Sequence, residues 1–400
     1  MFSASRQLES RRYREAGLRV LPFLFTRIEM SEIDLKCTPK VSIGPLARLG
    51  TGVSEWGSRA LLIADKSLEV RAADIQDQLD SEGISTILFA REGISSDTET
   101  LDEALSLARG SHADMIGVLG GEKVLSLGRL VASTSRSILS AADLMSGRTP
   151  DKPGLPILEI PSSGRFTLLF RNEALLNDSQ SQRAVLVPLE VPPAETVLID
   201  TSITGKLPVR ASALSMASLL FSAVEAFLSP RSDFFSDIQA RSAIRTAAGL
   251  LREVKEQAVD PDYRIREAET AVLAAFSTGL TGLGPGMILS WAVSAASETS
   301  KAGIAAVLLA WVLESPLYAG SPKLKELAGL IADSAEDASD SPAGEVRSLF
   351  GRLDLPGRLR ELGVELSNVL QASAWAVDIL GAERPDLNEG VFREILDLSS

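Results

Sequence analysis

Residues 207–233 read LPVRASALSMASLLFSAVEAFLSPRSD, and at Pro208 the chain changes character. Before it, short apolar runs alternate with amphipathic stretches; after it, helical periodicity continues almost unbroken to Leu398. Ser218 and Ser222 stand four residues apart, so on a helix they share one face and would look into a cleft between the two halves. Helical metal sites use that spacing, although neutral hydroxyls are poor ligands beside imidazole, thiolate or carboxylate. The apolar runs at 214–228 and 302–313 both fall short of the ~20 residues that cross a bilayer and are expected to be buried helices.

Upstream, KVSIG (40–44), ALLIAD (60–65), ISTILFA (84–90), DMIGVL (114–119) and LPILEIPS (155–162) read as strands. Amphipathic helices over 68–81 and 98–109 separate the early ones, and a helix opens behind the glycine pair of GGEKVLSLGRLVAS. Such alternation predicts a parallel sheet covered on both faces. TLLF (167–170) and AVLVPLEV (184–191) read as a hairpin over the cleft, and TVLID (196–200) as the strand that closes the sheet. The expected fold is an α/β N-terminal lobe of nucleotide-binding type followed by an all-α C-terminal lobe. The boundaries expected are an appendage or upstream start over 1–29, an α/β domain over 30–205 and a helical domain over 206–400. Residues 1–29 carry six arginines and three glutamates around LPFLF, which Pro22 interrupts with no small-residue cleavage site behind it, so Met30 is the expected start of the folded unit.

The 53 acidic against 40 basic residues leave a net charge of -13, which repels polyanions and argues against nucleic acid as a partner. No membrane partner is expected either. One cysteine, Cys37, excludes an internal disulfide and a cysteine zinc cluster and fits a reducing cytoplasm. One histidine, His112, excludes a site built from several imidazoles of this chain, and its place before an apolar strand reads as a solvated loop.

Several stretches, in order from Met30 to the C-terminus, carry a resemblance to a known family: ALLIADKSL (60–68), ADMIGVLGGEKVLSLGR (113–129), LPILEIPSSG (155–164), LIDTSITGKLP (198–208), SAVEAFLS (222–229) with Asp237, and LFGRLDLPGRLRELGV (349–364). Together they resemble the iron-containing (group III) alcohol dehydrogenases, in the superfamily that also holds glycerol dehydrogenase and dehydroquinate synthase. The resemblance implies the dehydroquinate synthase-like fold, NAD or NADP as cofactor, a small-molecule or nucleotide ligand, and a homodimer through the N-terminal lobe.

By the same resemblance, the family's metal-binding Asp and three His fall on Ser218, Ser222, Met287 and Ala302, the last just before Gly303, with Trp291 at a neighbouring active-site histidine. No metal is therefore expected. The implied cofactor contacts are Asp65, Gly120, Gly121, Lys123, Ser162 and Ser163. Glu122 stands where the family has a third glycine and brings a carboxylate beside a dianionic ligand, with Lys123 next to it as the offsetting charge. Ser126 and Arg129 stand at the family's Asp and Lys, and RFTLL (165–169) replaces its GTGSE segment. Glu225 is expected to serve helix packing, Trp291 and Trp311 to fill core or cleft, and Lys123 and Lys301 are the cations nearest the replaced ligands. The leading functional expectation is a homologue without metal-dependent dehydrogenase activity that binds a nucleotide or phosphate ligand between its lobes. An active metal-independent NAD(P)-dependent alcohol or aldehyde oxidoreductase and a structural or partner-subunit module stand as alternatives.

Overall fold

Six strands form one parallel sheet in the order β1-β8-β5-β4-β2-β3. They are β1 (Lys40–Ile43), β2 (Arg59–Asp65), β3 (Ser85–Arg91), β4 (Met115–Gly120), β5 (Ile157–Pro161) and β8 (Thr196–Ile199). The computed structural model describes residues 39–44, 53–164, 166–181, 183–189, 195–205, 207–257, 260–297, 299–334, 339–380 and 387–400. Residues 1–29, Met30, Cys37 and Arg165 lie outside them. Leu35–Ser400 make one compact unit.

Side chains of a strand alternate between faces, and both faces here are apolar. On β2, Leu61 and Ile63 enter one core while Ala60, Leu62 and Ala64 enter the other. Helix α1 (Glu69–Ser81) covers the second face through Ala72, Ile75 and Leu79. Helices α2 (Thr98–Gly110) and α3 (Glu122–Thr134) cover the first. From β2 the chain steps outward to β3, then returns to the other side of β2 as β4. Connections therefore leave the carboxyl ends of β2 and β4 in opposite directions, which opens a crevice beside Asp65 and Gly120.

One expectation about the strands is corrected, the place of the hairpin. β8 lies between β1 and β5, an interior place, because Lys40–Ile43 pair with Thr196–Ile199 and take the edge. The hairpin is β6 (Glu173–Asn177) with β7 (Ala184–Pro188), and residues 167–170 form a turn. Arg129 supplies the reason. Its guanidinium, 1% exposed, grips Glu159 on β5 through Nε–Oε1 at 2.6 Å and Nη2–Oε2 at 3.0 Å. Its Nη1 donates to the carbonyls of Leu168 at 2.7 Å and Arg171 at 3.0 Å, and its cation lies 4.3 Å from the Phe166 ring centroid. The Leu168 carbonyl also accepts the Arg171 N–H at 2.9 Å, which closes the turn against the guanidinium.

The second half is helical: α4 (Ala141–Met145) and α5 (Thr201–Thr204) are short pieces before it, and α6 (Val209–Leu228) begins it. α7 (Phe234–Gln257), α8 (Pro261–Thr281), α9 (Pro285–Ser297), α10 (Lys301–Glu314), α11 (Leu324–Ile331), α12 (Pro342–Gly351), α13 (Leu366–Leu380) and α14 (Glu389–Ser399) follow. α6 is the axis, packed against α7, α8, α9 and α10. It has 20 residues, longer than its apolar run, and is by length and composition able to cross a membrane. Here 89% of its most apolar window is buried by its neighbours.

At the entry to β2, the Asp114 carboxylate accepts the N–H groups of Ser58 at 2.9 Å and Arg59 at 2.7 Å, and a Cβ on Gly57 would overlap it. Burial pushes this carboxyl up, but those N–H donors and the Ser58 hydroxyl outweigh it and hold the group below the ordinary aspartate range. A carboxyl held low in the fold contributes stability above its unfolded pKa, and that contribution is lost as pH falls through the folded value. Urea midpoints should therefore fall below about pH 4 less steeply in Asp114→Asn than in the native protein. Arg129→Met strands a buried carboxylate and should cost roughly 3–5 kcal/mol in urea unfolding. Adding Glu159→Leu should leave a deficit of about 1–3 kcal/mol, because the carbonyls that Arg129 served stay buried without it.

Candidate functional site

The crevice at the carboxyl ends of β2 and β4 is shaped by two glycines with different duties. A Cβ on Gly120 would stand 2.6 Å from that of Val124, so the first turn of α3 folds back too closely for a side chain. Gly121 faces open space, with Ser162 Oγ 4.0 Å from where its Cβ would be. It is the extended residue before α3, and among the described residues no side chain caps that helix. An uncapped N-terminus directs backbone N–H groups and the positive end of the helix dipole outward, the usual receptor for an anion. The Ser162 N–H donates to the Gly120 carbonyl at 2.9 Å, which holds the end of β5 beside the turn, and Ser163 is buried. Asp65 is committed locally: its carboxylate accepts the Ser67 N–H at 2.8 Å and hydroxyl at 2.6 Å.

Next to this turn is a recess of about 350 Å³, its open mouth included, formed where α3 and β6 meet α9 and α10. Glu122, Lys123, Asn177, Trp291, Ser294 and Lys301 line it. Glu122 Oε2 receives the Lys301 ammonium at 2.5 Å and the Trp291 indole N–H at 3.2 Å. The Lys301 ammonium also lies 5.1 Å from the Trp291 ring centroid, a cation–π distance. Lys123 was the expected counter-charge to Glu122; in the structure Lys123 is exposed and Lys301 takes the carboxylate. Arg129, at the position of the family's Lys, pairs with Glu159, and Ser126 accepts the Leu175 N–H at 3.4 Å. Asn177 and Ser294 carried no signal in the sequence, because the strand bearing Asn177 was placed six residues early and Ser294 is one of many serines on apolar helices.

Ser218 and Ser222 on α6, Met287 on α9 and Ala302 on α10 are all buried. The Ser222 hydroxyl donates to the Leu219 carbonyl of its own helix at 3.0 Å. None of the four lines the recess. Among the described residues no three His, Cys, Asp or Glu side chains gather so as to hold a metal ion. His112 is exposed at the amino end of β4, the far end of that strand from Gly120.

Two carboxylates of the helical half serve other groups. Glu225, one turn after Ser222 and 1% exposed, accepts the N–H groups of Gly286 at 2.7 Å and Met287 at 2.8 Å and the Tyr318 hydroxyl at 3.1 Å. It therefore caps α9 from a neighbouring helix. Gly284 and Gly286 permit the approach, since a Cβ on either would overlap Glu225 or Phe221. Asp237 pairs with Lys323 at 2.7 Å. Trp311 is stacked between Arg347 and Arg358, 4.6 and 4.4 Å from its centroid, away from the recess lining. Replacing Glu225 with Ala should destabilise the fold by about 2–3 kcal/mol, because charge-assisted bonds at a buried helix end are lost. Glu225→Gln should lose less, and amide exchange at Gly286 and Met287 should quicken in both.

A sequence profile described as "Iron-containing alcohol dehydrogenase" matches residues 39–164, and one described as "Fe-containing alcohol dehydrogenase family, C-terminal" matches residues 212–390. Long-chain-alcohol dehydrogenase 1 of Geobacillus thermodenitrificans is 27% identical over 252 residues, 61% of this chain and 63% of that protein, which is less than two thirds of its length. The 1,3-propanediol dehydrogenase of Citrobacter freundii is 25% identical over 325 residues, covering 77% of this chain and 82% of that one. In structure, the NADH-dependent butanol dehydrogenase A of Thermotoga maritima superposes with a TM-score of 0.82 at 16% identity, covering 93% of this chain and 99% of that one, a likeness of fold alone. Sheet half and helical half are thus matched separately and in chain order, and the chain belongs to the iron-containing alcohol dehydrogenase family.

Proposed function

We propose that this chain is a family member that works without the family's metal, and that its recess receives a nucleotide or another phosphate-bearing small molecule. The chemistry of the donor set carries the first part. Where the resemblance expects metal ligands stand two hydroxyls, a thioether and a methyl group, at Ser218, Ser222, Met287 and Ala302, all packed away from water. Neutral hydroxyls and a methyl group do not fit iron or zinc, which require imidazole, thiolate or carboxylate donors. Glu225 and Asp237 are already committed to a helix end and to Lys323. A bound Lewis acid would supply several kcal/mol of alkoxide stabilisation, and no group at these positions replaces it. On this reading the chain works by a route other than metal-dependent hydride transfer.

The second part rests on the uncapped start of α3 beside the open Gly121, with Lys123 and Lys301 as cations and Trp291 as a flat apolar wall. A nicotinamide dinucleotide belongs to the class such a site would take. Protein incubated with Fe(II) or Zn(II), desalted and assayed for metal should hold far less than one ion per chain; one tightly held ion per chain overturns the metal-free reading. Titration calorimetry with ADP, NAD, NADP and orthophosphate should give saturable binding for at least one of them. Silence across all four removes the ligand reading.

A further inference from the structure

Among the described residues Glu122 is the one acidic side chain in the lining of the recess, and it joins the two halves of the chain. It stands on the first turn of α3, on the sheet, while Lys301 opens α10 and Trp291 lies on α9 in the helical half. The ion pair and the indole bond therefore cross the recess. The Glu122 and Lys301 side chains are 12% and 10% exposed, so water screens them little. A single oxygen, Oε2, takes both contacts, whereas Oε1 is buried with no hydrogen-bond partner among the described residues. The carboxylate also stands at the uncapped end of α3, where an anion is stabilised by the N–H groups and dipole of the helix.

The geometry points to Glu122 as a resident anion: an intramolecular latch that occupies Lys301 across the recess until the phosphate of an entering ligand displaces it. This rests on the reading of the recess as a phosphate-ligand site. On entry the ligand's phosphate takes over the Lys301 ammonium, and the Glu122 carboxylate turns outward to solvent beside exposed Lys123. With Glu122 in place, an arriving dianion meets a carboxylate and a lysine already neutralised, so the latch weakens binding and selects against highly charged ligands.

The experiment is calorimetric titration of ADP into the full chain, comparing the native protein with Glu122→Gln, Glu122→Gly and the double variant Glu122→Gln with Lys301→Met. Gln removes the charge and keeps the size; Gly removes both, and thermal melts confirm which variants fold. Either single variant should bind ADP at least about tenfold more tightly than the native chain, and Lys301→Met should abolish the gain. Binding no tighter in both single variants overturns the latch. Native binding without that gain leaves the ligand site standing and removes the latch. A gain over a native chain that does not bind keeps the latch and removes the native ligand reading, and silence in every variant removes both.

Discussion

The guanidinium of Arg129 is the fixed point of the sheet half. Five N–H donors taken out of water require acceptors on several sides at once, and here a strand, a turn and a helix supply or carry them. Glu159 binds α3 to β5, the carbonyls of Leu168 and Arg171 bind the turn that leads into β6, and Phe166 closes over the cation. One helical position away, Gly128 lets α3 come so close to Val118 that a Cβ would overlap it. With the axis of α3 set in this way, its amino end is set too, and the crevice residues Gly121 and Glu122 take their places from there.

Glu225 plays the corresponding part in the helical half. α9 begins at Pro285 inside the protein, where water cannot serve its first N–H groups, and a carboxylate from α6 serves them instead. Glycines at 284 and 286 leave room for that carboxylate. Trp291 then follows on the same helix and reaches Glu122 across the recess. Two buried carboxylates, each satisfied by donors distant in the chain, thus position the two walls of the site before any ligand is considered.

Family membership accounts for the scaffold, and the residues at the cleft account for what it can do. A parallel sheet with a switch between β2 and β4 makes a ligand crevice almost unavoidable. Its contents are a separate matter, because lining side chains vary without disturbing the strands that carry them. Buried hydroxyl, thioether and methyl groups at 218, 222, 287 and 302 keep the helices packed, and they offer no charged donor. The recess is apolar at Leu175 and Trp291 and charged at Glu122, Lys123 and Lys301.

Amphipathic periodicity and the glycine pair made the strand–helix order of the sheet half and the run of helices after Pro208 legible in the sequence, since both are set by neighbours a few residues apart. The residue types at the cleft, including the near absence of histidine, were equally plain. Sequence spacing did not reveal which charges meet. Arg129 pairs with Glu159, 30 residues away, and Glu122, beside Lys123 in the sequence, is held by Lys301 and by Trp291, 169 residues on. TLLF has strand composition and forms a turn, because a buried guanidinium claims its carbonyls. Local order is written in the sequence because it follows from backbone geometry and apolar spacing; the partners of buried charges were decided by the tertiary fold, because a charge out of water takes whichever counter-group the packing brings within reach.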